Sequence, residues 1–148
     1  MTIDLEVQVA TAHKPLPTQS QVAHWVQTAL GDRADVALVV RLVDRDESEA
    51  LNARYREQRK PTNVLSFAAE LPEEVSLPLL GDIVICAPLV AEEAAAQGKA
   101  EMDHWAHLVI HGVLHLLGHD HQEPSDAQRM ESLEIEMLAQ LGIANPYA

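Results

Sequence analysis

Trp105-Ala106-His107-Leu108-Val109-Ile110-His111-Gly112-Val113-Leu114-His115-Leu116-Leu117-Gly118-His119-Asp120-His121 reads as an apolar helix with a histidine-rich exit, and the other elements have to be placed around it. Ala106, Val109, Val113, Leu116 and Leu117 occupy most sides of a helix over 105–117, which predicts a helix buried inside the domain. Such a helix needs further layers packed on it. His111 and His115 are four apart, so they share one helix face about 6 Å apart along the axis, with both imidazoles aimed at one point. Gly118 then lets the chain leave the helix through a left-handed residue and return His121 toward that point. Three histidines converge in this reading.

Outward from the helix, the pattern alternates between strand and helix periods. Ile3, Leu5, Val7 and Val9 alternate with polar residues, as in a half-buried strand that Pro15 and Pro17 end. Thr18 and Gln21 can form a capping box for a helix carrying Val22, Trp25, Val26 and Ala29 on one face and leaving at Gly31. Val36 to Val43 is a β-branched run interrupted by Arg41, which predicts a central strand. Asp46 and Glu49 suggest the cap of a second helix, with Ala50, Leu51 and Tyr55 as its packed stripe and its end near Arg59.

Val64, Leu65 and Phe67 predict a short third strand, followed by an acidic loop containing Pro72 and Pro78. Gly81 opens a fourth strand, Asp82 to Cys86, and Pro88 suits the first turn of an Ala-rich helix reaching Gly98. Ser125 and Gln128 suggest a cap for a last helix lined by Met130, Leu133, Met137, Leu138 and Leu141 and ending at Gly142. The expected architecture is a single α+β domain over 1–148. It has about four strands in a mixed sheet and about five helices, with the metal site on the buried helix and its following loop.

The bulk composition limits the partners. A formal charge of −13 argues against a wide basic surface for nucleic acid, so any such contact must be local. Cys86 is the only cysteine, which excludes an intramolecular disulfide and suits a small buried core residue in a reducing compartment. The N-terminus lacks the basic and apolar regions of a signal peptide, and no run of about 18 apolar residues is present. A cytoplasmic protein with no membrane partner is expected.

The histidine spacing of four and then six, with glycine seven after the first, is that of the zincin sequence His-Glu-x-x-His-x-x-Gly-x-x-His. Gly112 stands in the place of the glutamate that serves metalloproteases as general base, so peptide hydrolysis is disfavoured while the ligands are kept. Three imidazoles favour an open, catalytic site for one divalent metal, with zinc the first choice. Asp120 and His119 are candidates for a fourth ligand, although orienting an imidazole or a water is the preferred role for Asp120. His104 and His107 lie on the same helical face and read as core or groove residues more than as ligands. Arg54, Arg56, Arg59 and Lys60 stand against a single acid, Glu57, which offers a local anion-binding patch or a solvated helix face.

Two stretches carry a family resemblance. His111 to His121, and Leu51-Asn52-Ala53-Arg54-Tyr55-Arg56 with Pro61-Thr62-Asn63-Val64-Leu65-Ser66-Phe67, resemble the YbeY-type endoribonucleases, bacterial rRNA maturation factors; Gly81 to Cys86 is similar to a third block. The resemblance runs in order from about Leu51 to the C-terminus. It implies a metal-dependent endoribonuclease specific for single strands, acting in 16S rRNA 3′-end maturation and ribosome quality control. It further implies the metal ligands His111, His115 and His121, a functional Arg56, and partners in single-stranded RNA of the 16S precursor and the ribosome or its proteins, with no DNA. His119 replaces a tyrosine common in the family, which leaves open a ligand or proton-transfer role for it; metal-bound hydroxide, Asp120 and His119 stand as unranked candidates for taking the proton. Asn63 receives no catalytic duty, and Ser66 lines the cleft or serves its strand. The rival readings are a zinc-dependent hydrolase of another ester or amide, and a metal-stabilised ribosome-associated binding module.

Overall fold

The structure is a computed structural model that describes residues 3–33, 35–69, 79–119 and 123–148. Among them the chain runs β1 (Ile3–Ala10), α1 (Gln19–Leu30), β2 (Val36–Val43), α2 (Arg45–Arg56), β3 (Val64–Ala68), β4 (Leu79–Cys86), α3 (Ala87–Gln97), α4 (Glu101–Leu116) and α5 (Pro124–Gln140). The four strands form one mixed sheet in the order β1-β2-β4-β3. β1 and β4 flank β2 in parallel, and β3 closes the edge antiparallel to β4. This is the α+β arrangement expected, with the β-branched β2 inside the sheet.

Strand alternation separates two apolar layers. Leu38, Val40, Leu42, Ile83 and Ile85 face the main core, where Val22, Val26 and Leu30 of α1 and Trp105, Val109 and Val113 of α4 meet them. Each such side chain taken fully out of water contributes about 1.5–3 kcal/mol. Val43, Leu65 and Val84 face the other way, into a smaller cluster with Leu51 of α2 and Phe67 of β3. The predicted role of α4 as the buried helix holds: it packs against α1, α3, α5, β3 and β4.

Several predicted boundaries shift, each for a local reason. α2 begins at Arg45 with Asp44 before it, so Asp46 lies in the first turn instead of at the cap; the Asp44 carboxylate is taken by the Thr11 hydroxyl. The helix stops at Arg56 because Glu57 turns left-handed, at φ 57°. Its buried face is polar: Ala50 and Tyr55 are exposed, whereas Ser48 and Asn52 are buried. Ser48 Oγ donates to Thr62 O at 2.7 Å and accepts from Thr62 N at 2.9 Å, and Asn52 Nδ2 donates to Lys60 O at 2.8 Å. These bonds satisfy the backbone of the 58–63 connection where a stripe of hydrocarbon would not.

β4 starts at Leu79, placing Gly81 inside the strand at φ +143°, where a Cβ would stand 2.1 Å from Phe67 O. Only glycine fits that approach. α4 begins at Glu101, four residues before the predicted start, and α5 begins at Pro124 after Glu123, so Ser125 and Gln128 form no cap. Proline fills the first-turn position that needs no N–H. The Thr18–Gln21 capping box is present, with Gln21 N donating to Thr18 Oγ1 at 3.1 Å. Cys86 is buried in the core, and burial pushes its thiol pKa up. The acidic loop at 72–78 lies outside the described residues.

Candidate metal centre

The i,i+4 spacing on α4 brings His111 and His115 together with their Nε2 atoms 3.2 Å apart and their rings edge to face. Two nitrogens bound to one tetrahedral zinc at 2.0–2.1 Å stand about 3.3 Å apart, so the spacing suits chelation. His111 points its other nitrogen, Nδ1, at Glu134 Oε1 at 2.9 Å. A proton on Nδ1 leaves Nε2 as a lone pair, the form of imidazole that binds a metal. The donor set therefore fits a divalent cation. Among the described residues no group of three such donors closes on a point, and the remaining predicted members, His121 and Asp120, lie outside them. His119 is half-buried just past α4, where its N–H donates to Leu114 O at 3.0 Å.

Glu134 is the residue that sequence reasoning missed. It is 1% exposed on α5, yet it accepts from His107 Nε2 at 3.0 Å, from His111 Nδ1 at 2.9 Å and from the Tyr147 hydroxyl at 2.8 Å. Burial opposes its ionisation, but the hydrogen bonds from His107 and His111 outweigh that and hold the carboxyl at about 2. Tyr147 shifts the opposite way: burial, then the Glu134 carboxylate it donates to, raise its phenol pKa. A usable signal was present in the sequence. Glu134 falls midway between Met130 and Leu138 on the buried stripe of α5, an acid where the period calls for a hydrocarbon.

Further along α4, His104 Nε2 donates to Glu93 Oε1 at 2.8 Å, and Asn63 Nδ2 donates to the same oxygen at 3.1 Å. Burial lowers the His104 pKa against the pull of Glu93. His104 and His107 thus sit in hydrogen-bonded core and groove positions, as expected, each with Nδ1 buried and unpartnered among the described residues.

Gly112 and Ser66 fix how close this helix comes to the sheet. Ser66 Oγ on β3 donates to Gly112 O at 3.0 Å, and a Cβ on Gly112 would meet Ile83 Cγ2 at 2.8 Å. A glutamate there has no room, so the missing protease base follows from packing. Ser66 therefore serves the strand-to-helix contact.

Arg56 ends α2, on the sheet face opposite α4. Its neighbour Tyr55 stacks edge-on against Phe67 at 5.0 Å. Phe67 and Ser66 are consecutive in the edge strand, so the basic segment and the histidine helix straddle β3 from opposite faces. The Arg56 side chain is exposed, with no hydrogen bond or ion pair among the described residues.

A family model described as Endoribonuclease YbeY matches residues 6–142 of the chain. The chain belongs to the YbeY endoribonuclease family. The solution structure of a Thermotoga maritima protein is similar to it, at 26% identity over 95% of this chain and 92% of that one, with a TM-score of 0.53. The YbeY match takes in both the histidine helix and the basic segment, and it extends through the N-terminal third where the sequence showed only a pattern.

Proposed function

We propose that this YbeY-family chain is a metal-dependent endoribonuclease that cleaves single-stranded RNA, acting on the 16S rRNA precursor in 3′-end maturation and ribosome quality control. The observation that carries the reading is the His111–His115 nitrogen pair backed by Glu134, in a chain of an endoribonuclease family. His111, His115 and His121 would hold one divalent ion, with zinc the first choice from three imidazoles. Bound there, the ion would supply Lewis acidity toward a phosphodiester oxygen and lower the pKa of water.

The chain's own residues do the rest. Glu134 locks the His111 tautomer and orientation through Nδ1. Arg56, across the edge strand β3 from the histidines, would meet an RNA phosphate that reaches round that edge, with a guanidinium that matches its geometry and stabilises its charge. Asp120 and His119 are the proton-transfer groups of this reading, next to the third ligand in sequence. Gly112 separates the site from peptide hydrolysis, because the packing against Ile83 leaves no space for the protease base. Ribosomal proteins are the partners that an acidic surface would attract, whereas RNA must be met locally at the basic segment.

Elemental analysis with a single-stranded RNA cleavage assay, on wild type and His115→Ala, tests the reading. Stoichiometric metal and RNA cleavage, both lost in the variant, are expected. Metal-free protein that still cleaves RNA would overturn it.

A further inference from the structure

A groove of about 410 Å³ continues from His111 along α4, between the end of α3 and the start of β3, with Asn63, Glu93, Gln97, Lys99 and His107 among its walls. Its polar groups are unevenly satisfied. Asn63 spends its amide nitrogen on Glu93, which leaves its Oδ1 without a donor among the described residues. Glu93 Oε1 receives both His104 and Asn63, whereas Oε2 receives only the long 3.4 Å contact from Asn63. One wall therefore presents spare acceptors.

Lys99 and Gln97 present the opposite chemistry. Neither side chain makes a hydrogen bond or ion pair among the described residues, and Lys99 stands so in a chain with 23 acidic against 10 basic residues. An unpaired ammonium beside an acceptor-rich wall fits a ligand carrying an anion at one end and an N–H group at the other. Neutral amino-bearing bases joined to phosphate have that form: cytosine, adenine and guanine offer an exocyclic amine where uracil offers a carbonyl. His107 and the half-exposed Tyr147 ring also line the groove, packed edge to face with centroids 5.5 Å apart.

We propose that this groove is a nucleotide subsite. It holds the base of a nucleotide flanking the cleaved bond, with Glu93 and Asn63 accepting from an exocyclic amine and Lys99 binding that nucleotide's phosphate. The inference rests on the RNA reading above and adds a base preference to it.

The test is an NMR titration of the zinc-loaded protein with cytidine and uridine monophosphates, run beside RNA cleavage by the same preparation. Cytidine monophosphate is expected to shift the Gln97 and Lys99 amides and the Asn63 side-chain amide, and to bind about tenfold more tightly than uridine monophosphate. Lys99→Ala, at a side chain with no partner to lose, is expected to weaken both by about tenfold. Equal affinities for the two nucleotides, wild-type affinity in Lys99→Ala, or shifts confined to His111 and His115 would overturn the subsite. RNA cleavage without groove binding removes the subsite alone. Groove binding with the expected preference, but without RNA cleavage, keeps the nucleotide site and removes the nuclease reading.

Discussion

Ile83 on β4 occupies the space that a side chain at position 112 of α4 would need, with Cγ2 2.8 Å and Cδ1 3.1 Å from where the Cβ would stand. The helix can lie this close to the sheet only because residue 112 is glycine. Gly112→Ala should gain about 1 kcal/mol in helix propensity and lose about 1–3 kcal/mol to overpacking. Gly112→Glu should lose far more and gain no proteolysis. Urea denaturation checks this, with Gly112→Ala/Ile83→Ala expected to cost less than the sum of the single variants. Strict additivity would disprove the contact.

Glu134 gathers three donors in one buried carboxylate, and its removal should be felt in two readouts. Glu134→Ala is expected to lower metal affinity by about 10–100-fold, because the His111 tautomer is no longer held. It should also destabilise the metal-free protein by about 1–3 kcal/mol, since buried donors lose their acceptor. Tyr147→Phe removes one donor and should cost about 0.5–1.5 kcal/mol. Competition with a chelator of known affinity reads the first effect, and denaturant melts read the others.

Acid should unfold the metal-free protein, and the sign follows from two groups. Glu134 is held at about 2 against an ordinary 4.5, so its stabilisation is complete above 4.5 and drains away as pH falls toward 2. His104 has its pKa lowered from 6.5 by burial, so the unfolded chain takes up that proton first and stability also falls as pH drops through and below 6.5. Chelator-treated protein melted between pH 7.5 and 2.5 should show a monotonic loss. Stability that stays flat or rises over that range would contradict both assignments.

Arg56→Glu should reduce RNA cleavage about a hundredfold, the scale of losing one charge-stabilising donor, with metal content near wild type. Ser48→Ala acts more indirectly. It leaves the Thr62 N–H and C=O without their shared partner, at about 1–3 kcal/mol, and frees the connection that follows the basic segment. Cleavage assays with parallel metal analysis separate the two roles. Full activity in Arg56→Glu would remove the arginine from the mechanism.

How much of this was legible in the sequence depended on the range of the interaction. The His111–His115 pair follows from one helical turn, and the buried character of α4 follows from its own composition. The capping box of α1 is equally local. By contrast, the Glu134 carboxylate meets His111 across 23 positions, and Tyr147 joins it from the C-terminal segment, so no periodicity within α4 announces either. α2 was misread for a different reason: apolar spacing assumes a hydrocarbon face, whereas Ser48 and Asn52 are buried to tie down neighbouring backbone. Gly81 looked like the opening of a strand because its real constraint, the Phe67 carbonyl, comes from the adjacent strand.

The position of α4 among α1, α3, α5, β3 and β4 also sets the timescale on which its histidines can move. A helix packed on so many partners has no small cooperative unit to open with, so its central amide protons are expected to exchange slowly in a hydrogen-exchange measurement. His111 and His115 are therefore carried on a backbone held in place from several sides, with His115 in its last turn.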